Sequence, residues 1–297
     1  MFYTIFFLLL TYYILAYPEV SLYYAINGFS LWYTKMVPSL LPFMILSGVL
    51  IRMNLTKQFS QILHPFLKKI FRCSPQISYG IIMGFLCGFP MGAKVASDLY
   101  KTGKITKEEA TFLLSFCNNI GPVYFLTFAL PLMNIHNSSI YLFAMYGIPF
   151  LYGILLRYTY YRKKITTTGI KATTINSSNT GLLTSLDNSI HSSIQSILML
   201  CGYMIIFNLL NILPHFLLQE VHKYIYPLLE ITGGLNLLNG KPTYYCLMLL
   251  SFGGLSCIAQ THSMIVGTGL SIKNYILHKA IISGITGLFY MAKIILN

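Results

Sequence analysis

Acids are what this chain has least of. Seven Asp and Glu stand against 20 Lys and Arg in 297 residues, and charged residues of both signs make up only 9%. A soluble domain carries roughly 25% charged residues, so a large soluble helical protein is excluded: too few charges exist to coat its surface. The same shortage argues against an intramembrane aspartyl protease or a carboxylate-bound metal enzyme, which need acids in pairs or clusters. HExxH, P-loop and Gly-x-Ser-x-Gly signatures are also missing. No metalloprotease, NTPase or serine-hydrolase chemistry is therefore expected, and the chain reads as a non-enzyme with no cofactor or metal. The six cysteines (Cys73, Cys87, Cys117, Cys201, Cys246, Cys257) show no CxxC spacing and lie mostly in apolar runs. They are expected as buried thiols acting as small hydrophobes, not as a disulfide framework or zinc site. Residues 1–17 lack a basic lead-in and an evident small-x-small cleavage site, so a retained first span is expected instead of a cleaved signal peptide.

What the chain has instead is apolar surface: 55% hydrophobic residues and a mean hydropathy of +0.65. At ~20 residues per span its length allows about seven crossings plus shorter pieces, and an all-α polytopic membrane protein follows. Apolar segments fall near 1–17, 37–51, 76–100, 110–133, 139–157, 190–213, 224–239, 243–266 and 274–295. The net charge of +13 would suggest nucleic acid in a soluble protein. Here the basic residues flank apolar segments, so topology and anionic headgroups explain them, and no nucleic-acid partner is expected. One Thr/Ser/Asn-rich stretch, Ile165–Gly181, looks like a linker. It divides the chain into residues 1–36 (first span and outer loop), 37–160 (first repeat), 161–189 (cytoplasmic linker) and 190–297 (second, inverted repeat).

The repeat rests on punctuation. Gly84–Lys94 contains Gly88-Phe-Pro-Met-Gly92, and 166 positions later Phe252–Gln260 contains Gly253-Gly254. Aligned this way, Lys94 faces Gln260, Ser97 faces Ser263 and Gly103 faces Gly269. Phe43–Ile51 similarly matches Ile197–Ile205, and His64-Pro-Phe-Leu67 matches Tyr226-Pro-Leu-Leu229. Paired, broken hydrophobic segments point to a binding site near the bilayer midplane. If 76–100 dips in and returns, the basic loops 52–72 and 101–107 share one face. Thirteen Lys/Arg then lie on cytoplasmic loops against four outside (Lys35, Lys223, Lys241, Lys273), in keeping with the positive-inside rule. This arrangement predicts two re-entrant hairpins entering from opposite faces, in a multi-pass protein of the cell membrane with both termini cytoplasmic.

Candidate site residues follow from the breaks. Pro90 and the two glycines Gly88 and Gly92 interrupt a helix, and one restarting at Gly92 would offer free N–H groups to an acceptor-rich ligand. Lys94 and Asp98 lie four apart on one helix face, either as a simple ion pair or as ligand contacts. Asn118 and Asn119 precede Gly121-Pro122 and would point to different sides of a helix. At most one of them need reach a site, and interhelical hydrogen bonding is the alternative. Glu230, with Thr232, opens the second unit; if buried it needs a partner, for which Lys94 is a candidate. Glu108 and Glu109, among lysines at a helix start, are expected in solvent. In the second copy Ser256, Gln260 and His262 offer hydrogen-bonding groups, His262 being either a satisfied buried histidine or a proton carrier.

Leu41-Pro-Phe-Met-Ile-Leu-Ser-Gly48 after Gly28-Phe-Ser-Leu-Trp32, then Gly88–Lys94, Leu114-Ser-Phe-Cys-Asn-Asn119, Leu229-Glu-Ile-Thr232, and Phe252-Gly-Gly-Leu-Ser256 with Gln260, together resemble the YlbJ family of sporulation integral membrane proteins. These motifs run in family order through most of the chain. The resemblance implies a nucleoside-recognition (Gate) domain related to concentrative nucleoside transporters and ferrous-iron permeases. It also implies an endospore-forming bacterium and a role in the spore envelope or cortex. The chain departs from the family in its short linker and in Cys257-Ile258, where a more polar pair is expected. Transport or gating of a small polar, nucleoside-like solute is the leading expectation; a non-transporting scaffold of a sporulation complex is the alternative. Expected partners are the lipid bilayer, that solute, and a second copy of the chain or other sporulation membrane proteins.

Overall fold

A computed structural model describes residues 1–136, 138–165 and 181–296; most of the Ile165–Gly181 linker lies outside the described residues. Helices make up the regular structure, with no strand among the described residues. In chain order they are α1 (Phe2–Ala16), α2 (Pro18–Arg52), α3 (Thr56–Ser60), α4 (His64–Phe71), α5 (Pro75–Cys87), α6 (Met91–Lys101), α7 (Lys107–Phe116), α8 (Pro122–Leu132), α9 (Ser139–Tyr158), α10 (Leu182–Leu209), α11 (Ile212–Leu217), α12 (Gln219–Leu229), α13 (Ile231–Leu238), α14 (Thr243–Phe252), α15 (Gly254–Ile265) and α16 (Ile272–Leu296). Among the described residues five stretches are long and apolar enough to cross a membrane: α2, α9, Leu182–Leu217, Thr243–Ile265 and Ile272–Lys293. The protein is an all-helical integral membrane protein.

Local chemistry sets the helix ends. Thr106 and Glu109 form a capping box at the start of α7, with reciprocal bonds of 2.8 and 3.1 Å that satisfy two otherwise orphaned donors. Glu109 is thereby buried, against the expectation that it sits in solvent with Glu108: the capping bonds replace its water. After α6 and after α13 the chain turns on Gly103 and Gly240, at φ +67° and +68°, a region open to glycine at no steric cost.

Two sets of contacts define two ends of the bundle. At one, Lys104 donates to the Ile51 carbonyl at the end of α2. Arg157 at the end of α9 donates to the carbonyls of Phe71 (2.6 Å) and Arg72 (3.1 Å) after α4, and to Tyr161 and Ile165 (both 3.1 Å). Gly269, ahead of α16, lies against the Lys107 ammonium. At the other end Gly240 packs on Leu132 and Met133, Tyr290 donates to the Tyr141 carbonyl at 2.7 Å, and Lys293 lies over the Tyr141 ring.

The first break is a fold-back: α5 and α6 pack along each other across Gly88–Pro90, and both pack on α7. Gly84 and Gly92 make this possible, because a Cβ on Gly92 would stand 2.5 Å from the Cys117 carbonyl oxygen and one on Gly84 would meet the same atom. The segment aligned with this break by sequence behaves differently. α14 packs along α16, while α15 packs on α10 and α6, so Thr243–Ile265 is a rod bent at Gly253 (φ +93°). The tight fold-back of the second half is α12–α13. It turns at Glu230, with Gly234 pressed against Pro227. The 166-residue alignment therefore paired a bent rod with a hairpin, since a Gly-rich interruption looks the same in sequence whichever way the chain leaves it.

Adding one methyl at Gly84 should cost about 1–3 kcal/mol, since the carbonyl it meets is backbone. Gly202→Ala meets nothing within 4 Å and should be neutral or slightly stabilising; thermal unfolding in detergent compares the two. Burial lowers the Lys104 ammonium from the usual lysine range to about 8. Between about pH 8 and 10 the unfolded chain then holds more protons than the folded one, so this group adds stability as pH rises. The melting-temperature difference between wild type and Lys104→Met should shift in favour of wild type across that window. A constant difference would mean that Lys104 titrates alike in both states.

Candidate functional site

The first break is held by one side chain. α6 begins in the protein interior with free N–H groups, and the Asn118 Oδ1 accepts from the Ala93 N–H at 3.3 Å. The Asn118 Nδ2 donates to Thr261 Oγ1 (2.8 Å) on α15 and to the Tyr275 hydroxyl (3.1 Å) on α16. Neighbouring Asn119 accepts from the Lys279 ammonium at 3.2 Å and donates to the Phe116 carbonyl at 2.6 Å. Both asparagines are buried and neither lines the cavity described below; their bonds to α15 and α16 are the interhelical kind that stood as the alternative to a site role. Asn118–Ile120 lies between α7 and α8 outside any helix, so helical spacing does not separate the two side chains.

The second break is capped from within. The Glu230 carboxylate, 2% exposed, accepts from the N–H groups of Thr232 (3.1 Å) and Gly233 (2.7 Å) at the start of α13, where anionic caps are favourable. The pairing of Glu230 with Lys94 is not formed. Lys94 bonds Asp98 Oδ2 at 3.2 Å and Ser192 Oγ at 3.4 Å, so helical i,i+4 proximity wins over the longer cross-chain reach. Thr232 accepts from the Tyr124 hydroxyl at 3.2 Å, and Gln260 donates to Ser256 at 2.9 Å.

These broken segments converge. Phe89, at the α5–α6 turn, lies against Gly253, where an added Cβ would stand 2.7 Å from its ring. Phe89 also lines a cavity of about 460 Å³. Its inner wall includes Phe89, Ile120, Thr232, Cys257 and Gln260, and Tyr124 stands beside Thr232; its rim carries the exposed Lys35, Ser39 and Thr127. A mostly apolar wall with a few convergent polar groups is the usual character of a small-molecule pocket.

Of the residues expected at the site, Thr232 and Gln260 line this cavity. Gly88, Pro90, Gly92, Asn118, Asn119, Glu230 and Ser256 build its supports. Lys94 and Asp98 line a different cavity, of about 300 Å³, between α2, α6 and α10. His262 is exposed, so it is not the buried histidine of the first alternative, and it does not line this cavity. Lys279, which stands behind the cavity wall without lining it, was not among the expected residues. It is 1% exposed and lies 4.8 Å from the Phe89 ring centroid. A lysine inside an apolar span is a functional candidate by default, and that signal was present in the sequence. Tyr124 carried no such signal.

Asn118→Ala should cost about 1–3 kcal/mol, because it strands the hydrogen-bonding groups of Ala93, Thr261 and Tyr275, whereas His262→Ala should leave stability unchanged. Melting temperatures of the two variants in the same detergent check this; equal losses would mean Asn118 is not the clamp it looks like.

Comparison with known proteins bears on this geometry. A curated relative, the "Sporulation integral membrane protein YlbJ" of Bacillus subtilis (strain 168), is 29% identical over an alignment of 307 positions that covers 97% of this chain and 73% of the relative. No solved structure matches the chain. The profile of the Gate family, described as nucleoside recognition, matches residues 33–216, a stretch that holds the first break, the Asn118–Asn119 clamp and Tyr124. The chain belongs to the Gate nucleoside-recognition family.

Proposed function

We propose that this protein transports or gates a small polar, nucleoside-like solute across the membrane by alternating access. The observation that carries the reading is the convergence of chain breaks on one cavity: Phe89 from the first fold-back, Ile120 from the gap after α7, Thr232 from the α12–α13 turn, and Cys257 and Gln260 just past the bend at Gly253. Irregular backbone at membrane depth is tolerated where it is buried in protein or lines a cavity, and discontinuous helices meeting near the midplane are how many transporters build their sites. The Phe89 and Tyr124 rings offer faces for a base, and Thr232 and Gln260 offer polar groups for its edges. No bond making or breaking is part of this reading.

The inverted repeat fits best in a corrected register. Leu113-Leu-Ser-Phe116 ends α7 just before the Asn118 break, and Leu249-Leu-Ser-Phe252 ends α14 just before the Gly253 bend. In this register α5–α6 corresponds to α12–α13, and the turns at Gly103-Lys104 and Gly240-Lys241 correspond with a one-residue shift. The two fold-backs become re-entrant hairpins entering from opposite faces, with Glu230 at the tip of the second. With the basic Lys104–Lys107 end in the cytoplasm, α16 ends on the outer face, in place of the cytoplasmic C-terminus expected from charge counting; a cytoplasmic N-terminus requires the shorter α1 to cross as well. The relative named for sporulation supports a role in spore formation, and the cortex or envelope is where we propose that role lies.

Uptake of radiolabelled uridine and adenosine by proteoliposomes tests the transport reading. Wild type should accumulate label, and Gln260→Leu and Thr232→Val should each lose about tenfold, the equivalent of one polar contact. Uptake that both variants leave intact would remove the cavity from the mechanism, and no uptake of any solute would favour a scaffold. In a cysteine-free background, single cysteines at Asn54 and Thr102 should react with an impermeant reagent from one side, and those at Asn134 and Asn239 from the other. Labelling of Thr102 and Asn54 from opposite sides would sink the first hairpin.

A further inference from the structure

The second cavity has its own chemistry. It lies at the basic end of the bundle and is walled by α2, α6 and α10, with a volume of about 300 Å³. Three cations line it, Arg52, Lys94 and Lys101, against one carboxylate, Asp98. The single ion pair, Lys94–Asp98, leaves Arg52 and Lys101 without a carboxylate partner among the described residues. The facing wall, on α10, is hydroxylic: Ser189, Ser192 and Ser193. Ser192 already accepts from the Lys94 ammonium. Ser193 is 1% exposed, and its Oγ has no hydrogen-bond partner. A buried hydroxyl without a partner is costly, and one set in the wall of a cation-rich cavity is a donor awaiting an acceptor.

We infer that this cavity binds a phosphate group, held between the Arg52, Lys94 and Lys101 cations and the Ser192 and Ser193 hydroxyls. Topology alone explains why Arg52 and Lys101 lie at this end. It does not explain a buried lysine, 6% exposed, facing three serines across a cavity. Arg52 can engage two phosphate oxygens at once, and the lysines act as point charges. Asp98 opposes the ligand and orients Lys94, so binding is tuned to be reversible. The site is separate from the Gln260 cavity and does not depend on the transport reading. The phosphate can belong to a soluble phosphomonoester entering from the basic face or to a lipid headgroup, and the experiment separates them.

The full chain is reconstituted in phosphatidylcholine nanodiscs and titrated with inorganic phosphate and glycerol 3-phosphate, against chloride at matched ionic strength. Thermal shift and equilibrium dialysis of labelled phosphate are the readouts. Saturable binding is expected, weakened about tenfold or more by Arg52→Gln with Lys101→Gln and several-fold by Ser193→Ala. Asp98→Asn is the decisive variant: removing the opposing charge should tighten binding about tenfold, which a merely structural Asp98 would not do. Protection seen only in phosphatidylglycerol nanodiscs, with the same response to the variants, assigns the site to a lipid headgroup. No saturable effect in either setting, or tighter binding failing to appear in a folded Asp98→Asn protein, overturns the inference.

Discussion

The structure depends on how it satisfies backbone that stops being helical inside an apolar environment. An unpaired peptide group there costs several kcal/mol, and water cannot repay it. Asn118 is the principal answer. One carboxamide accepts from the buried start of α6 and donates to α15 and α16, so a single side chain joins both halves of the protein at the level of the break. Glu230 does the equivalent for α13 with its two backbone bonds. Without these groups the chain ends that frame the cavity would have no fixed position relative to one another.

Close backbone approach is the second requirement, and glycine supplies it. Gly84 and Gly92 let α5 and α6 close on the Cys117 carbonyl, and Gly28 lets α2 approach α10 at Met204. Between helices already in lipid there is little hydrophobic gain to be had, so such small-residue contacts and interhelical hydrogen bonds carry association. The Asn27–Tyr226–Asn208 chain, with links of 3.1 and 2.8 Å, extends the same device towards the other end of the bundle. Polar side chains in this protein therefore serve separate ends: some bond within their own helix, others stitch helices together, and a few, Thr232 and Gln260 among them, stand on a cavity wall.

The two cavities divide the charged and neutral chemistry. Around Gln260 the wall is largely apolar with neutral hydrogen-bonding groups, and the nearby buried cation, Lys279, is already engaged by Asn119 and the Phe89 ring. Around Lys94 the wall is cationic and hydroxylic. α6 runs from one to the other, starting beside the Phe89 turn and ending at Lys101. A movement of the α5–α6 fold-back would be felt in both places.

Several things were settled by the sequence alone. Charge scarcity and apolar run lengths determine a polytopic helical protein, because bilayer thickness and the cost of buried charge leave no other solution. The positions of the breaks at Gly88–Gly92, Asn118–Gly121 and Gly253 were equally legible, since proline and paired glycines cannot continue a helix comfortably. What the chain does after each break was not. A glycine turn in the first copy folds back and in the second bends a rod, and only contacts between distant helices decide which. Partner choice was hidden for the same reason: whether Lys94 meets Asp98 or Glu230, whether both asparagines turn inward, and whether Lys279 ends beside Phe89 depend on which side chains tertiary packing brings within hydrogen-bond reach.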